Sequence, residues 1–482
     1  MLIRNARIVP VTSPAPTEPV DVLIEKDRVT AVGSGLDLDA GGGKAQEVYD
    51  ADGRWLIPGL WDQHVHADQW TRAASRLDLS AATSPADALA RVAVRLRERP
   101  GEPIVGCGHR AGSWSRPVSV AELDMVVGPT PVVLINSDFH HAWMSTAALD
   151  VLGLARRQTV VSETEWYAAS PLLDSLESDA AGPAAYARML RAAAALGVVG
   201  IVDFEFGVRH HDWAQRWDEG CDLLRVRCAT YDLANFAGRR TGDEIRPGLT
   251  LGSLKIISDG SLGTRTAWCC SPYADTGQYG APNLPAAELA EQLARARAQG
   301  VTVATHAIGD RAVDVALEAY ARTGARGSIE HAQLIQPGDA PRMAALGLTA
   351  SMQPAHLLDD RDVAERVWPG QGARSFAYRW LRDAGVTLTL GSDAPVAPLD
   401  PWLAIAAAVH RSADARDPWH PDQALTAGEA LAASVDGQPT VGVGSRGDLV
   451  LLERDPLAAT PAELRSMPVT LTMVAGRVVL PG

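Results

Sequence analysis

The chain has 482 residues, 46% apolar and 21% charged, with 44 Lys plus Arg against 58 Asp plus Glu, a formal charge of −14. That length suits a large barrel with an accessory unit, or two to three average domains, and the mixture excludes a disordered or fibrous chain. The acidic balance, without any dense basic run, argues against nucleic acid and anionic membrane as partners. No apolar stretch reaches the roughly 18 residues of a membrane span, and the first residues read as a strand, not a signal peptide. A soluble protein is expected. Its five cysteines, an odd number without C-x-x-C spacing, fit a reducing, cytoplasmic setting.

In chain order, residues 1–58 alternate turns with short β-rich runs at 2–9, 21–25, 29–32, 47–50 and 55–57, as in a small antiparallel unit. Runs at 448–453 and 469–479 repeat that character, so the N- and C-terminal segments are expected to share a small β-sandwich. Between them strand-like and helical runs alternate, the pattern of a parallel sheet wrapped by helices. Eight candidate strands, 60–66, 200–206, 225–231, 253–258, 301–306, 327–331, 349–353 and 387–393, close into an α/β fold of the (β/α)8, TIM-like kind. Helices stand out at 286–298, 310–322 and 341–345, two of them rich in Ala.

The interval from Asp68 to Gly197 is too long for one βα connection, so it must hold elements of its own, placed over the catalytic face. The expected division is 1–58 for the first part of the sandwich, 59–436 for the barrel with an insertion at about 68–197, and 437–482 for the second part. Gly41-Gly42-Gly43 reads as a loop tip and does not make a strand–Gly-x-Gly-x-x-Gly–helix fingerprint, which removes a dinucleotide-dependent oxidoreductase.

The sharpest local signal is Pro58-Gly-Leu-Trp-Asp-Gln-His-Val-His66, an apolar strand ending in His-x-His. Side chains two apart on a strand share a face, with Cα atoms about 6–7 Å apart, so both imidazoles can reach one ion. Further ligand types recur where strands end: Lys255, His306, His331 and Asp393. Barrel enzymes assemble their sites from those C-terminal ends.

These segments resemble the amidohydrolase superfamily, and within it the YtcJ-like branch that includes N-substituted formamide deformylases. Besides the His-x-His segment, the likeness rests on Lys255-Ile-Ile-Ser-Asp-Gly-Ser-Leu-Gly-Thr-Arg265, His306-Ala-Ile-Gly-Asp-Arg311, Glu330-His-Ala-Gln333, Ser351-Met-Gln-Pro354 and Gly391-Ser-Asp-Ala-Pro395. It implies a β-sandwich plus (β/α)8 barrel, and a metal site of His64, His66, His306, His331 and Asp393. Lys255 is implied as a carboxylated lysine bridging two metals, because a carbamate turns a cation into an anionic oxygen donor. The cofactor expected is zinc or a similar divalent metal, one ion, or two if Lys255 is carboxylated. The metal lowers the pKa of water towards ~7. Asp393 is the candidate general base.

On the substrate side, Asp138-Phe-His-His-Ala-Trp143 resembles the family's Asp-Gly-His-x-x-Trp segment, which makes His140 the candidate for holding a substrate oxygen. Phe139 and Ser145 depart from the usual Gly and Asn. Arg265, His356 and Trp114 are weaker substrate candidates, and Arg265 reads equally well as half of a structural ion pair. Trp114, Trp143 and Trp166 suggest an aromatic-tolerant pocket.

The expected activity is hydrolysis of a C–N bond in an amide, N-formyl or N-acyl amine, acting on a small molecule, with homo-oligomerisation left open. A hydrolytic deaminase or cyclic amide or amidine hydrolase on the same barrel is the alternative. Those branches resemble His-x-x-Glu after the fifth strand and lack the lysine, whereas this chain has His306-Ala-Ile-Gly309 and keeps Lys255. A non-catalytic relative is the second alternative, against which stands the retention of every ligand.

Overall fold

A computed structural model describes residues 1–36, 47–74, 76–177, 182–207, 209–412 and 416–480, so the Gly41-Gly42-Gly43 tip lies outside the described residues. Eight parallel strands run through the central sheet: β1 Leu60–Val65, β2 Val198–Asp203, β3 Arg225–Thr230, β4 Leu249–Ile257, β5 Val303–Ala307, β6 Gly327–His331, β7 Thr349–Met352 and β8 Thr387–Leu390, with the short Glu244–Arg246 added antiparallel to β4. Each pairs with the next in chain order. The seam between β8 and β1 is drawn together by Asp393 N donating to His64 O at 2.7 Å and His66 N donating to Ala394 O at 2.8 Å. The result is a nearly closed barrel.

Both faces of such strands are covered, which is why β1 and β2 are buried at every position. Outside them lie amphipathic helices such as Asp310–Thr323, whose Val313, Ala316, Leu317 and Tyr320 bury one stripe at helical spacing. Gly324, left-handed at φ 62°, ends that helix. Strand β4 begins at Leu249, not at 253. The polar Thr250 and the side-chain-free Gly252 mask its start in the sequence. Gly252 is needed there, since a Cβ would lie 2.9 Å from the Ala229 backbone nitrogen.

The two chain ends share one sheet. Leu449–Leu452 pairs antiparallel with Trp55–Pro58, placing Leu451 opposite Leu56. From that junction the path runs through Leu2–Ile8, Val20–Glu25 and Arg28–Gly33 on one side, and Val469–Val474 and Arg477–Leu480 on the other. Ile3, Val22, Leu56, Leu451 and Met473 are fully buried in its own apolar cluster.

Between β1 and β2 a second, five-stranded sheet is built from Val161–Ser162, His141–Met144, Val132–Asn136, Ile104–His109 and Leu77–Asp78, in that order. Its two faces feed two cores: Val133 and Ile135 pack into one cluster, Val132 and Leu134 into the other. Helix Pro183–Ala195, though within 68–197, joins the barrel core through Tyr186, Leu190 and Ala193. No helix among the described residues is long and apolar enough to cross a membrane.

Candidate active site

Strands β1, β4, β5, β6 and β8 run in one direction, so their C-terminal ends share a rim, and there the chain places His64, His66, Lys255, His306, His331 and Asp393. His64, His331 and Asp393 form the tightest group, each offering a ligand atom within 4.8 Å of the others. Asp393 Oδ1 lies 3.5 Å from His64 Nε2 and 3.2 Å from His66 Nε2. Lys255 Nζ is 3.2 Å from His64 Nε2, and the rings of His306 and His331 are 4.5 Å apart. His331 and Asp393 both adopt positive φ, 70° and 58°. Such backbone costs of order 1–3 kcal/mol for a non-glycine residue and recurs at functional sites.

Burial lowers His64, His331 and His306, the last to about 3, and Lys255 lowers His64 and His306 further. These imidazoles are therefore neutral at pH 7, the form that binds metal. Burial opposes the Asp393 carboxylate, yet the surrounding imidazoles of His64, His66 and His331 favour its ionised form. Lys255 is brought down to about 8 by burial, against the pull of Glu330 and Asp393. Neutral imidazoles beside a carboxylate make a donor set for a divalent ion, zinc among them. His66 and His331 also keep a buried Nδ1 with no hydrogen-bond partner among the described residues. The residues fit a metal.

Behind these side chains stand groups that the sequence reading did not single out. Glu330 Oε2 faces His64 Nδ1 at 2.7 Å. Asp259 accepts from the backbone N–H groups of Ile308, Gly309 and Trp268 at 3.0, 2.9 and 2.9 Å, and lies 3.5 Å from His306 Nε2. Burial raises Asp259 to about 7 against those three donors. Both acids sit within quoted motifs, beside His331 and four residues after Lys255, and only their identity as acids in a buried strand end could have marked them.

Above the rim a cavity of about 430 Å³ opens between barrel and insertion, lined by the rim residues together with His140, Trp166, Tyr167, Phe206 and Tyr231. The family model that matches the chain is described as "Amidohydrolase family" and covers residues 47–480. The chain belongs to the amidohydrolase family. It is similar to the N-substituted formamide deformylase of Arthrobacter pascens, 26% identical over 531 residues with 94% of each chain covered. The YtcJ protein of Bacillus subtilis (strain 168) is also 26% identical, over 487 residues and 91% of each chain. Among solved structures, an uncharacterized metal-dependent hydrolase from Pyrococcus horikoshii superimposes with a TM-score of 0.79 at 25% identity, covering 96% of this chain and 99% of that one. This amidohydrolase is thus an enzyme of the metal-dependent hydrolase kind.

The substrate-side candidates are placed unequally. His356 lines the cavity with Nε2 3.8 Å from Asp393 Oδ2. Arg265 lines it too, but its guanidinium is engaged by Asp275 at 3.0 Å and by the carbonyls of Leu262 and Gly263 at 3.0 and 2.8 Å. Trp114 is not among the residues that line the cavity; its indole donates to the Ala82 carbonyl at 3.3 Å and stacks on His109, half-buried against the insertion's core. Trp143 is fully buried, and Trp166 is the indole that borders the cavity. Phe139 occupies the left-handed region at φ 58°, where the family resemblance expects Gly.

Proposed function

We propose that this amidohydrolase hydrolyses a C–N bond of the amide, N-formyl or N-acyl amine type in a small molecule. The observation that carries the reading is the convergence of His64, His331 and Asp393 at the rim of the cavity. His64, His66, His306, His331 and Asp393 would hold a divalent metal, most simply zinc. Lys255, carboxylated on Nζ, would add oxygen donors for a second. When bound, the metal polarises a substrate carbonyl and makes water nucleophilic near neutral pH.

The chain's own groups do the rest. Asp393 is the carboxylate at the rim beside His64 and His66, the group placed to accept a proton from the attacking water and return it to the leaving nitrogen. His140, across the cavity in the insertion, can donate a hydrogen bond to the oxygen that gains charge. The buried shell around the rim limits bulk water at the reacting carbon.

A cytoplasmic location is part of the proposal, supported by five cysteines that are all unbridged. So is the division into 1–58, 59–436 and 437–482, supported by the terminal sheet's own apolar cluster, while its other face, through Ile57, Val450 and Leu452, packs into the barrel core. We read the terminal sheet as a two-layer sandwich, since Leu2–Ile8 pairs first with Val20–Glu25 and Val48–Asp50 and then, past Arg7, with Trp55–Pro58.

The experiment is a screen of metal-loaded protein against N-formyl and N-acyl amines, carbamates and cyclic amides, with amine release as the readout. Release from open-chain amides, lost in a His64→Ala plus His66→Ala variant that no longer binds stoichiometric metal, is the expected result. Ammonia released only from aminated heterocycles would replace this reading with deamination.

A further inference from the structure

His140 faces the cavity from a hairpin of the insertion, and both hydrogen bonds of its ring fall on Nδ1. Tyr167 Oη lies 2.5 Å from that nitrogen and Glu163 Oε2 3.2 Å from it, while Tyr167 Oη is 3.3 Å from the same carboxylate oxygen. The three groups close a ring. Because an ionised carboxylate can only accept, the arrangement is satisfied when Nδ1 carries a proton and the phenol donates to Glu163. That settles the ring's orientation and leaves Nε2 as the atom available to anything in the cavity.

The assembly is anchored from several sides. His140 N donates to Asp138 Oδ1 at 3.0 Å, Glu163 N donates to the His140 carbonyl at 2.8 Å, and Trp166 Nε1 donates to the Phe139 carbonyl at 2.7 Å. Glu163 itself sits at φ 51° and Phe139 at φ 58°, two left-handed residues within one small cluster. Thr266 Oγ1 reaches Glu163 Oε1 at 3.3 Å from the loop that follows β4. In that loop Gly263 leaves room for Asp138, whose Oδ2 would be 2.5 Å from a Cβ. The insertion is thereby seated on the barrel at the point where His140 looks into the cavity.

We propose that Glu163 and Tyr167 are positioning residues for His140, holding its Nδ1 protonated and its Nε2 directed at the substrate oxygen that gains negative charge. A histidine and glutamate joined only for stability would have no need of the phenol as a third member, nor of a cavity-lining ring whose Nε2 has no hydrogen-bond partner among the described residues. Burial works against a charged ring here, but Glu163 and Asp138 raise His140 above its ordinary value, so Nε2 can donate. The charged or titratable groups around it are Glu163 and Tyr167 on the helix Glu163–Ala169, Asp138 and His141 on its own hairpin, and Asp393, Asp259 and His306 from the barrel. This assignment rests on the C–N hydrolase reading for what Nε2 touches, not for how the ring is held.

The test uses the metal-loaded full chain labelled with 15N-histidine, with the His140 signals assigned by their loss in His140→Gln. Wild type should show a protonated Nδ1 with Nε2 as the titrating nitrogen. Glu163→Gln should lower the His140 pKa by about one unit or more, the effect of removing an opposite charge at this range. Tyr167→Phe, which removes a single oxygen, should shift the Nδ1 resonance and carries the test if Glu163→Gln does not fold. With an amide from the substrate screen, both variants should lose kcat by about tenfold or more while KM and metal content stay near wild type, since a donor to the developing oxyanion acts mainly in the transition state. Folded variants with unchanged His140 resonances would overturn the proposal whether or not any substrate is found. Altered resonances with unchanged kcat would overturn the catalytic half alone.

Discussion

His64 Nδ1 lies 2.7 Å from Glu330 Oε2, and the two side chains are only 1% and 2% exposed. The nitrogen facing the carboxylate carries the proton, so Nε2 is left with its lone pair towards Asp393 and Lys255. Buried this way, the pair orients the first histidine of the His-x-His motif before any metal arrives. Ligating histidines held by a carboxylate typically lose metal affinity by about 10–100-fold when that partner is removed. Glu330→Gln should therefore bind metal about 10–100-fold more weakly in a chelator competition, with its circular dichroism unchanged. An unaltered affinity would remove Glu330 from this role.

Asp393→Asn keeps the shape of the side chain but removes the anion proposed to accept the proton. Turnover should fall by about 10²–10⁴, the usual contribution of a general base. Metal content should be measured alongside, because Asp393 is also one of the three residues that could hold a metal ion. Near-wild-type turnover with full metal would take the base role from Asp393.

Lys255 separates a site with two ions from a site with one. Its Nζ stands beside His64 Nε2 and 4.4 Å from the centre of the Phe204 ring, with Glu330 and Asp393 near enough to pull on it but no carboxylate within salt-bridge distance among the described residues. With 13C-bicarbonate, the carbamate should appear as a labelled carbon that Lys255→Ala abolishes, while bound metal falls from two equivalents to one. Wild type holding one equivalent without that signal would leave the lysine unmodified.

Gly309 explains a feature of the His306-Ala-Ile-Gly-Asp segment. A Cβ there would lie 2.1 Å from the Trp268 carbonyl oxygen, and the N–H groups of both Gly309 and Trp268 donate to Asp259. Gly309→Ala must push these segments apart. A loss of about 1–3 kcal/mol, the typical range for overpacking, should appear as a lower denaturation midpoint.

The sequence could be followed closely where one local rule applied. Helix Ala286–Ala298 has the bounds read from its Ala-rich pattern, and β6 ends at His331, where its buried run stops. It says less where a residue's face depends on distant packing. Trp114 lies in the right stretch of chain but turns into the insertion's own core, a choice made by Ala82 and His109.

By itself, the sequence carried the motifs that resemble the amidohydrolase family, the alternation that closes a barrel, and the strand ends that bear ligand-type residues. The last two are written in short-range order: periodicity, residue type and spacing within a few positions. Tertiary structure alone decided which of the ligands draw together, since His64, His331 and Asp393 are brought within 4.8 Å from three separate strand ends. It also chose the partners behind them, Glu330 for His64 and the pair Glu163 and Tyr167 for His140. The physical reason is that buried charges and polar atoms must be paired. Their partners are set by the closing of the barrel and the seating of the insertion upon it, and neither leaves a local trace in the chain.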